Sequence, residues 1–308
     1  MTQAAPAPEF TPETAPFTTP EALADCVAGL DQPIEVQGAG TKAGIGYPVS
    51  APCVSTLGLA GITHFEPREF VLGALAGTRL SVIEATLAEH DLILPFDPPR
   101  FGGDPTLGGV IATNIGGAER ESLGAPRDNV LGAQYINGKG ELLKAGGRVV
   151  KNVSGYDIPR GLSGSWGTLA ILTEITIKVL PKARAVEQAS EPPVALWSAP
   201  FVWRVSVPRD RAKEIAKTWP GQMVQQWNGA LLWLAADEIT GESTDGHAVA
   251  AGAGGHALLV RRPLSHRQQP SHHQQPASRK PLTSRHSPCH CRQRVRWSLP
   301  TGACVFAS

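Results

Sequence analysis

The 308-residue chain is short of cysteine, of net charge and of long apolar runs. Its five cysteines, Cys26, Cys53, Cys289, Cys291 and Cys304, are odd in number and include no CxxC pair. That argues against a disulfide framework and leaves no thiolate set for an iron–sulfur cluster; it suits a reducing cytosol. A formal net charge of +1 gives no electrostatic case for nucleic acid or an anionic membrane. No apolar run approaches the roughly 18 residues that span a bilayer, so direct membrane insertion is not expected. The opening "MTQAAPAPEFTPETAP" lacks the basic and apolar regions of a secretory leader. Residues 1–16 are read as a mobile Pro-rich arm.

What is present is punctuation by glycine and proline in three compositional zones. Residues 17–182 alternate strands, Gly-rich loops and one clear helix. In "PIEVQGAGTKAGIGYP" a short strand enters a Gly loop. A helix opens near Thr78, with Leu80, Ile83 and Leu87 on one face, and Ser81 with Glu84 fits a capping box. "LGAQYINGKGELLKAGG" reads as a hairpin turning at Asn137 and Gly138. Ile171, Thr173, Ile175, Ile177 and Val179 share one face of a strand. Residues 183–262 have the strand–helix–strand–strand–helix–strand rhythm of a ferredoxin-like unit, with a weak second helix. Residues 263–308 are too poor in aliphatics to offset ordering entropy, and disorder is expected there.

Four Gly-dense loops fall in the first zone. The first leads from a strand into Gly38, Ala39, Gly40, Thr41 and Lys42. It is not a Rossmann fingerprint: the third glycine is misplaced, and Gly44, Gly46 and Pro48 would break the required helix. Nor is it a P-loop. Successive backbone N–H groups can nevertheless form an anion-binding nest, and a plain turn is the alternative. The second loop, "DPTLGGVIATNIGG", contains Thr106, Leu107, Gly108, Gly109 and Ala112. The third carries Arg127 and Asp128: a phosphate partner and a cap or sugar-hydroxyl acceptor, or else a surface ion pair. The fourth spans Lys151, Asn152, Gly155, Tyr156 and Asp157, then Gly167, Leu169 and Ile171. One such loop says little. Four, all joined to strands, fit a long ligand with a diphosphate in its middle.

Together, "VQGAGTK", "PTLGGVIATN", "GAPRDNVLGAQYINGKGELLKAGGRVVKNVSGYD" and "LSGSWGTLAILTEITIKVLP" resemble the vanillyl-alcohol-oxidase type of FAD-binding domain, also called the p-cresol methylhydroxylase (PCMH) type. "LPFDPPRFGGDPTLGG" and "GRVVKNVSGYD" are most similar to the FAD-binding subunits of bacterial glycolate oxidases. The resemblance covers roughly residues 17–262. It implies an α+β fold: a two-lobed PCMH-type FAD-binding domain, then a shortened ferredoxin-like cap and a disordered tail. It implies that residues 38–42 cradle the FAD pyrophosphate and that Thr106, Leu107, Gly108 and Gly109 wrap the diphosphate–ribityl region. The fourth loop would wall the rest of the cofactor. Relatives that attach FAD covalently use a histidine where this chain has Thr41, so FAD is expected to be non-covalent.

The resemblance further implies an accessory role in oxidising glycolate to glyoxylate. A catalytic flavoprotein subunit and an iron–sulfur subunit would be the partners, and the complex would be cytoplasmic or membrane-associated through them. Alternatives are a stand-alone FAD-dependent dehydrogenase of a small 2-hydroxy acid such as D-lactate, and a non-catalytic flavoprotein or degraded gene product. His247 and His256 are the only histidines of the cap zone, each a conceivable base but more simply an ordinary residue. No catalytic residue and no metal site are assigned. The tail's His266, His272, His273, His286, Cys289, His290 and Cys291 match no zinc spacing. The abrupt change after "GGHALLVR" suggests a shifted reading frame.

Overall fold

The computed structural model describes residues 17–30, 32–45, 51–147, 156–184, 196, 198–261 and, as backbone, 305–307. The first part of the chain runs α1 (Pro20–Ala28), β1 (Ile34–Gln37), β2 (Cys53–Ser55), β3 (Ile62–Glu66), β4 (Val71–Leu75) and α2 (Leu80–Ala88). It continues with β5 (Leu92–Ile93), α3 (Leu107–Thr113), α4 (Arg120–Leu123), β6 (Val130–Ile136), β7 (Leu142–Gly146), α5 (Ile158–Leu162), β8 (Ile171–Lys178) and β9 (Leu180–Pro181). A C-terminal unit follows: β10 (Phe201–Ser206), α6 (Ala212–Thr218), β11 (Gln222–Gln226), β12 (Leu231–Ala236), α7 (Gly246–Gly252) and β13 (His256–Arg261). One further strand, β14 (Val305–Ala307), lies near the end of the chain.

Strands β1 and β2 pair in parallel in a small sheet of order β14-β1-β2. The larger sheet is antiparallel, in the order β3-β4-β8-β6-β7. Leu80, Ile83 and Leu87 of α2 are all fully buried in the same core as Leu72, Ile175 and Ile177 of that sheet. This is the face that the spacing of the apolar residues requires. The expected capping box is corrected. Ser81 instead gives its N–H and hydroxyl to Asp104, 23 residues on, at 3.3 and 2.5 Å. An acceptor from another loop outcompetes the local glutamate, and Glu84 pairs with Arg100.

Two further details differ from expectation. The hairpin loop is longer than a two-residue turn: Asn137 Oδ1 accepts from the N–H groups of Lys139 and Glu141, and Gly140 takes the positive φ of 79°. On β8 the alternation breaks, because the register against β6 shifts between Gln134 and Tyr135. Thr173 is the extra residue of that bulge. Parity therefore flips: Leu172 joins Ile175 and Ile177, while Ile171 packs with Ile34 and Leu59.

The C-terminal unit has an antiparallel sheet of order β11-β12-β10-β13 with α6 and α7 as its helices, as the strand and helix rhythm predicts. Trp203 is fully buried, stacked on Phe201 and edge-on to Trp219, with both ring centroids 5.8 Å away. The expectation of a tail without structure is corrected at one point, since β14 pairs in parallel with β1. Among the described residues no helix is long and apolar enough to cross a membrane.

Candidate functional site

The first Gly loop leaves the carboxyl end of β1, where a strand's ladder ends and backbone groups must find other partners. Gly40 adopts a positive φ of 71°, which a side chain would strain. Among the described residues the N–H groups of Gly38, Ala39, Gly40 and Thr41 find no acceptor, whereas the next turn is closed by Ala43 N–H on Gly40 O at 3.0 Å. Four successive amides of this kind are donors that an anion can take up. Lys42 is buried, its ammonium 3.5 Å from Thr41 Oγ1 and 5.8 Å from the centre of the Phe101 ring. The donor set is cationic and amide only, which fits a diphosphate.

The second loop meets the first. A side chain on Gly38 would strike Thr106 Oγ1 at 2.4 Å, so the two loops touch through glycine and threonine. Thr106 is buried and caps α3, accepting from Gly109 N–H at 3.2 Å. The neighbouring residues are spent inside the protein. Leu107 is a fully buried core side chain. Gly108 donates to Ala76 O at 2.8 Å, and an added Cβ would lie 2.7 Å from that of Ala76. Close packing of α3 on Ala76 by itself therefore requires a glycine here.

The third and fourth loops pack at the other end of α3. Asn114 takes a left-handed conformation and accepts from Arg127 N–H at 3.0 Å, while Trp166 N–H donates to Ala112 O at 2.8 Å. Asp128 accepts from Ala125 N–H at 3.0 Å and lies 3.7 Å from Arg127, so the cap and the ion pair weighed for this loop both occur. Asp157 caps α5 and pairs with Arg160 at 3.2 Å; Tyr156 is 95% exposed. Lys151, Asn152 and Gly155 lie outside the described residues. Gly167, Leu169 and Ile171 border a pocket of about 10 Å³ beside Asn137 and Gly138, room for about one water. Leu169 is exposed there; Ile171 is buried in the small-sheet core.

In the C-terminal unit, His247 donates its backbone N–H to Asp245 at the start of α7, and exposed His256 opens β13. The described residues contain no group of three or more His, Cys, Asp or Glu side chains placed to hold a metal. The tail histidines and cysteines lie outside them. Sequence reading missed Arg204 and Trp227. Both reach from the C-terminal unit to the turn after α3, donating to Gly116 O and Gly117 O at 3.0 and 2.8 Å. The only sequence signal for Arg204 was a cation inside the apolar strand "FVWRVSVP".

A strand-led nest of free amides meeting a second glycine loop, with an FAD binding domain model matching residues 17–146, defines an FAD-binding protein of mixed helix and sheet. The chain is 33% identical over 290 residues to glycolate oxidase subunit GlcE of Escherichia coli strain K12, covering 73% of this chain and 81% of that one. It belongs to that subunit's family, within the PCMH type of FAD-binding proteins. The D-lactate dehydrogenase of Archaeoglobus fulgidus is 37% identical over 110 residues, 35% of this chain and 24% of its own. Glycolate oxidase subunit GlcD of Bacillus subtilis is 42% identical over 91 residues, 30% and 19% of the two chains. Among solved structures, an alkyldihydroxyacetonephosphate synthase matches with a TM-score of 0.44 at 21% identity, over 64% of this chain and 33% of that one.

Proposed function

We propose that this chain is the FAD-holding accessory subunit of a glycolate oxidase complex, in which glycolate is oxidised to glyoxylate. The observation that carries this is the 33% identity to the Escherichia coli subunit over 290 residues, more than the FAD-binding part alone. The amides of Gly38, Ala39, Gly40 and Thr41 hold the diphosphate, with the Lys42 charge behind them. Thr41 offers no attachment atom equivalent to a histidine, so FAD is held without a covalent bond. When bound, FAD supplies hydride acceptance and onward electron transfer. The loops around α3 orient it and exclude water, and the C-terminal unit forms a shortened ferredoxin-like cap.

Oxidation of a 2-hydroxy acid needs a cation for the carboxylate and a base for the hydroxyl proton, both facing an open flavin. In this reading the base comes from a catalytic flavoprotein partner, and an iron–sulfur partner takes the electrons. The relevant experiment measures glycolate-dependent dye reduction by this chain, by its partners and by the mixture. Activity is expected only in the mixture. Strong turnover by this chain alone, lost on changing His247 or His256, would instead establish a self-sufficient dehydrogenase, the reading that the D-lactate dehydrogenase relatives favour.

A further inference from the structure

The turn ahead of the second glycine loop carries a strained aromatic residue. Gly103 N–H donates to Arg100 O at 3.2 Å, and the two residues between them, Phe101 and Gly102, take φ of 53° and 78°. Turns with positive φ at both central positions are built mainly from Gly, Asn and Asp. A bulky side chain in that conformation is an outlier and persists only where its surroundings impose it. The frame of the turn is firm. Arg100 pairs with Glu84 at 2.5 Å and with Asp104 at 3.1 Å, and Arg79 donates to Asp104 O at 2.6 Å. These contacts fix the path of the backbone without calling for a ring on it. Glycine or asparagine would follow the same path at lower cost. The phenylalanine therefore needs a reason other than the turn.

The neighbours of the ring supply one. Phe101 packs against the C-terminal unit's core of Val202, Trp233 and Val260, with its centroid 6.5 Å from that of the Trp233 ring. It also receives the Lys42 ammonium, 5.8 Å from its centre. Lys42 directly follows the four amides of the first loop, and only 5% of it is exposed. The turn abuts that loop at a second point, since a side chain on Gly103 would come within 2.8 Å of Thr41 Cγ2. A lysine ammonium rides on a flexible four-carbon stem, so its position depends on what it rests against. An aromatic face attracts an ammonium and leaves its charge in place for an anion. A carboxylate in the same position would neutralise the lysine and repel a diphosphate.

We infer that Phe101 is a positioning residue for the FAD diphosphate: it holds the Lys42 ammonium beside the amides of the first loop, on a footing supplied by Trp233 of the C-terminal unit. The inference rests on the FAD-binding reading above. Phe101 acts through the lysine rather than on the cofactor. Through it the C-terminal unit bears on how tightly the cofactor is held.

The test strips the full chain of FAD and titrates FAD back, following flavin fluorescence. Phe101→Leu keeps an apolar side chain at the strained position and loses the ring; Phe101→Tyr keeps the ring. Phe101→Leu should weaken FAD binding about 10-fold, and Phe101→Tyr should stay within about 2-fold of wild type. ADP, which carries the diphosphate without the flavin, should lose the same factor when titrated into the stripped chain by calorimetry. In a Lys42→Met background, Phe101→Leu should add less than about 2-fold, because the ring then has no ammonium to hold. Phe65→Leu, which removes a ring packed on His90, should bind FAD as wild type does. Melting of each stripped variant separates a general loss of fold from a loss at the site. Phe101→Tyr and the ADP titration decide if Lys42→Met binds too weakly to measure. Wild-type affinity in Phe101→Leu, or an equal loss with and without Lys42, would overturn the positioning role and leave the cofactor reading intact. A wild-type chain that binds no FAD would overturn both.

Discussion

The FAD-binding part and the C-terminal unit bury themselves with different residues. The larger core of the first is aliphatic, with Leu72, Leu80, Ile83, Ile175 and Ile177 at its centre. The main core of the second is built on Phe201, Trp203 and Trp219. In the first, glycine keeps the loops bare, so main-chain amides remain available. In the second, polar atoms on large side chains reach outward, and two of them hold the first part's backbone. One region leaves main-chain amides open, and the other braces the turn after α3 through the carbonyls of Gly116 and Gly117. The same division separates what a point mutation should do in each.

The largest effect is expected in the nest. Gly40→Val places a branched side chain at a φ of 71° and brings its Cβ to 2.6 Å from Gln37 Nε2. FAD content of the purified protein, read by absorbance, should fall to near zero. Gly29→Ala should keep full occupancy, since its added methyl meets nothing closer than 3.6 Å. Equal occupancy in the two variants would remove this loop from the site.

The aromatic core comes next. Trp203→Ala should cost about 3–5 kcal/mol in urea unfolding. Trp203→Phe should cost clearly less, because the indole N–H is buried with no partner and its removal relieves that penalty. Equal losses would mean that the indole finds an acceptor in solution.

Smaller again is Asp104→Ala, which removes the cap of α2 along with the Arg100 contact. About 1 kcal/mol is expected by the same measurement. No loss would show that Glu84 takes over the capping that its spacing suggests.

The smallest effect is chemical. Burial, followed by the Glu35 charge, raises the Cys53 thiol to about 11, and its Sγ–H donates to Gln37 Oε1 at 3.3 Å. At pH 9, Cys53 should alkylate about 50-fold more slowly than a thiol at the ordinary value of 9.0. Mass spectrometry of labelled peptides would read this, and rapid labelling would contradict the partly desolvated, hydrogen-bonded thiol.

Local patterns in the sequence carried much of this architecture. The α2 face, the strand leading into the first Gly loop and the β10–α6–β11–β12–α7–β13 order follow from periodicity and turn residues within a few positions of one another. What escaped was set by distant partners. The α2 cap comes from Asp104, 23 residues beyond Ser81. The flip of β8 depends on a bulge against β6, and no alternation within "ILTEITIK" discloses it. The packing need at Gly108 is set by Ala76, 32 residues earlier. Arg204 and Trp227 escaped because their partners, Gly116 and Gly117, lie 88 and 110 residues away.

The strand order of the large sheet also governs how the protein is made. Strand β8 is the central strand, flanked by β4 and β6, yet it leaves the ribosome after both. From β4 to β8 is roughly a hundred residues, or about 5–20 seconds of synthesis. During that interval Leu72, Ala74 and Val130 have no sheet to close over them. Nascent chains halted before Ile171 should therefore be captured by chaperones or aggregate, whereas chains extended past Lys178 should acquire protease resistance in one step.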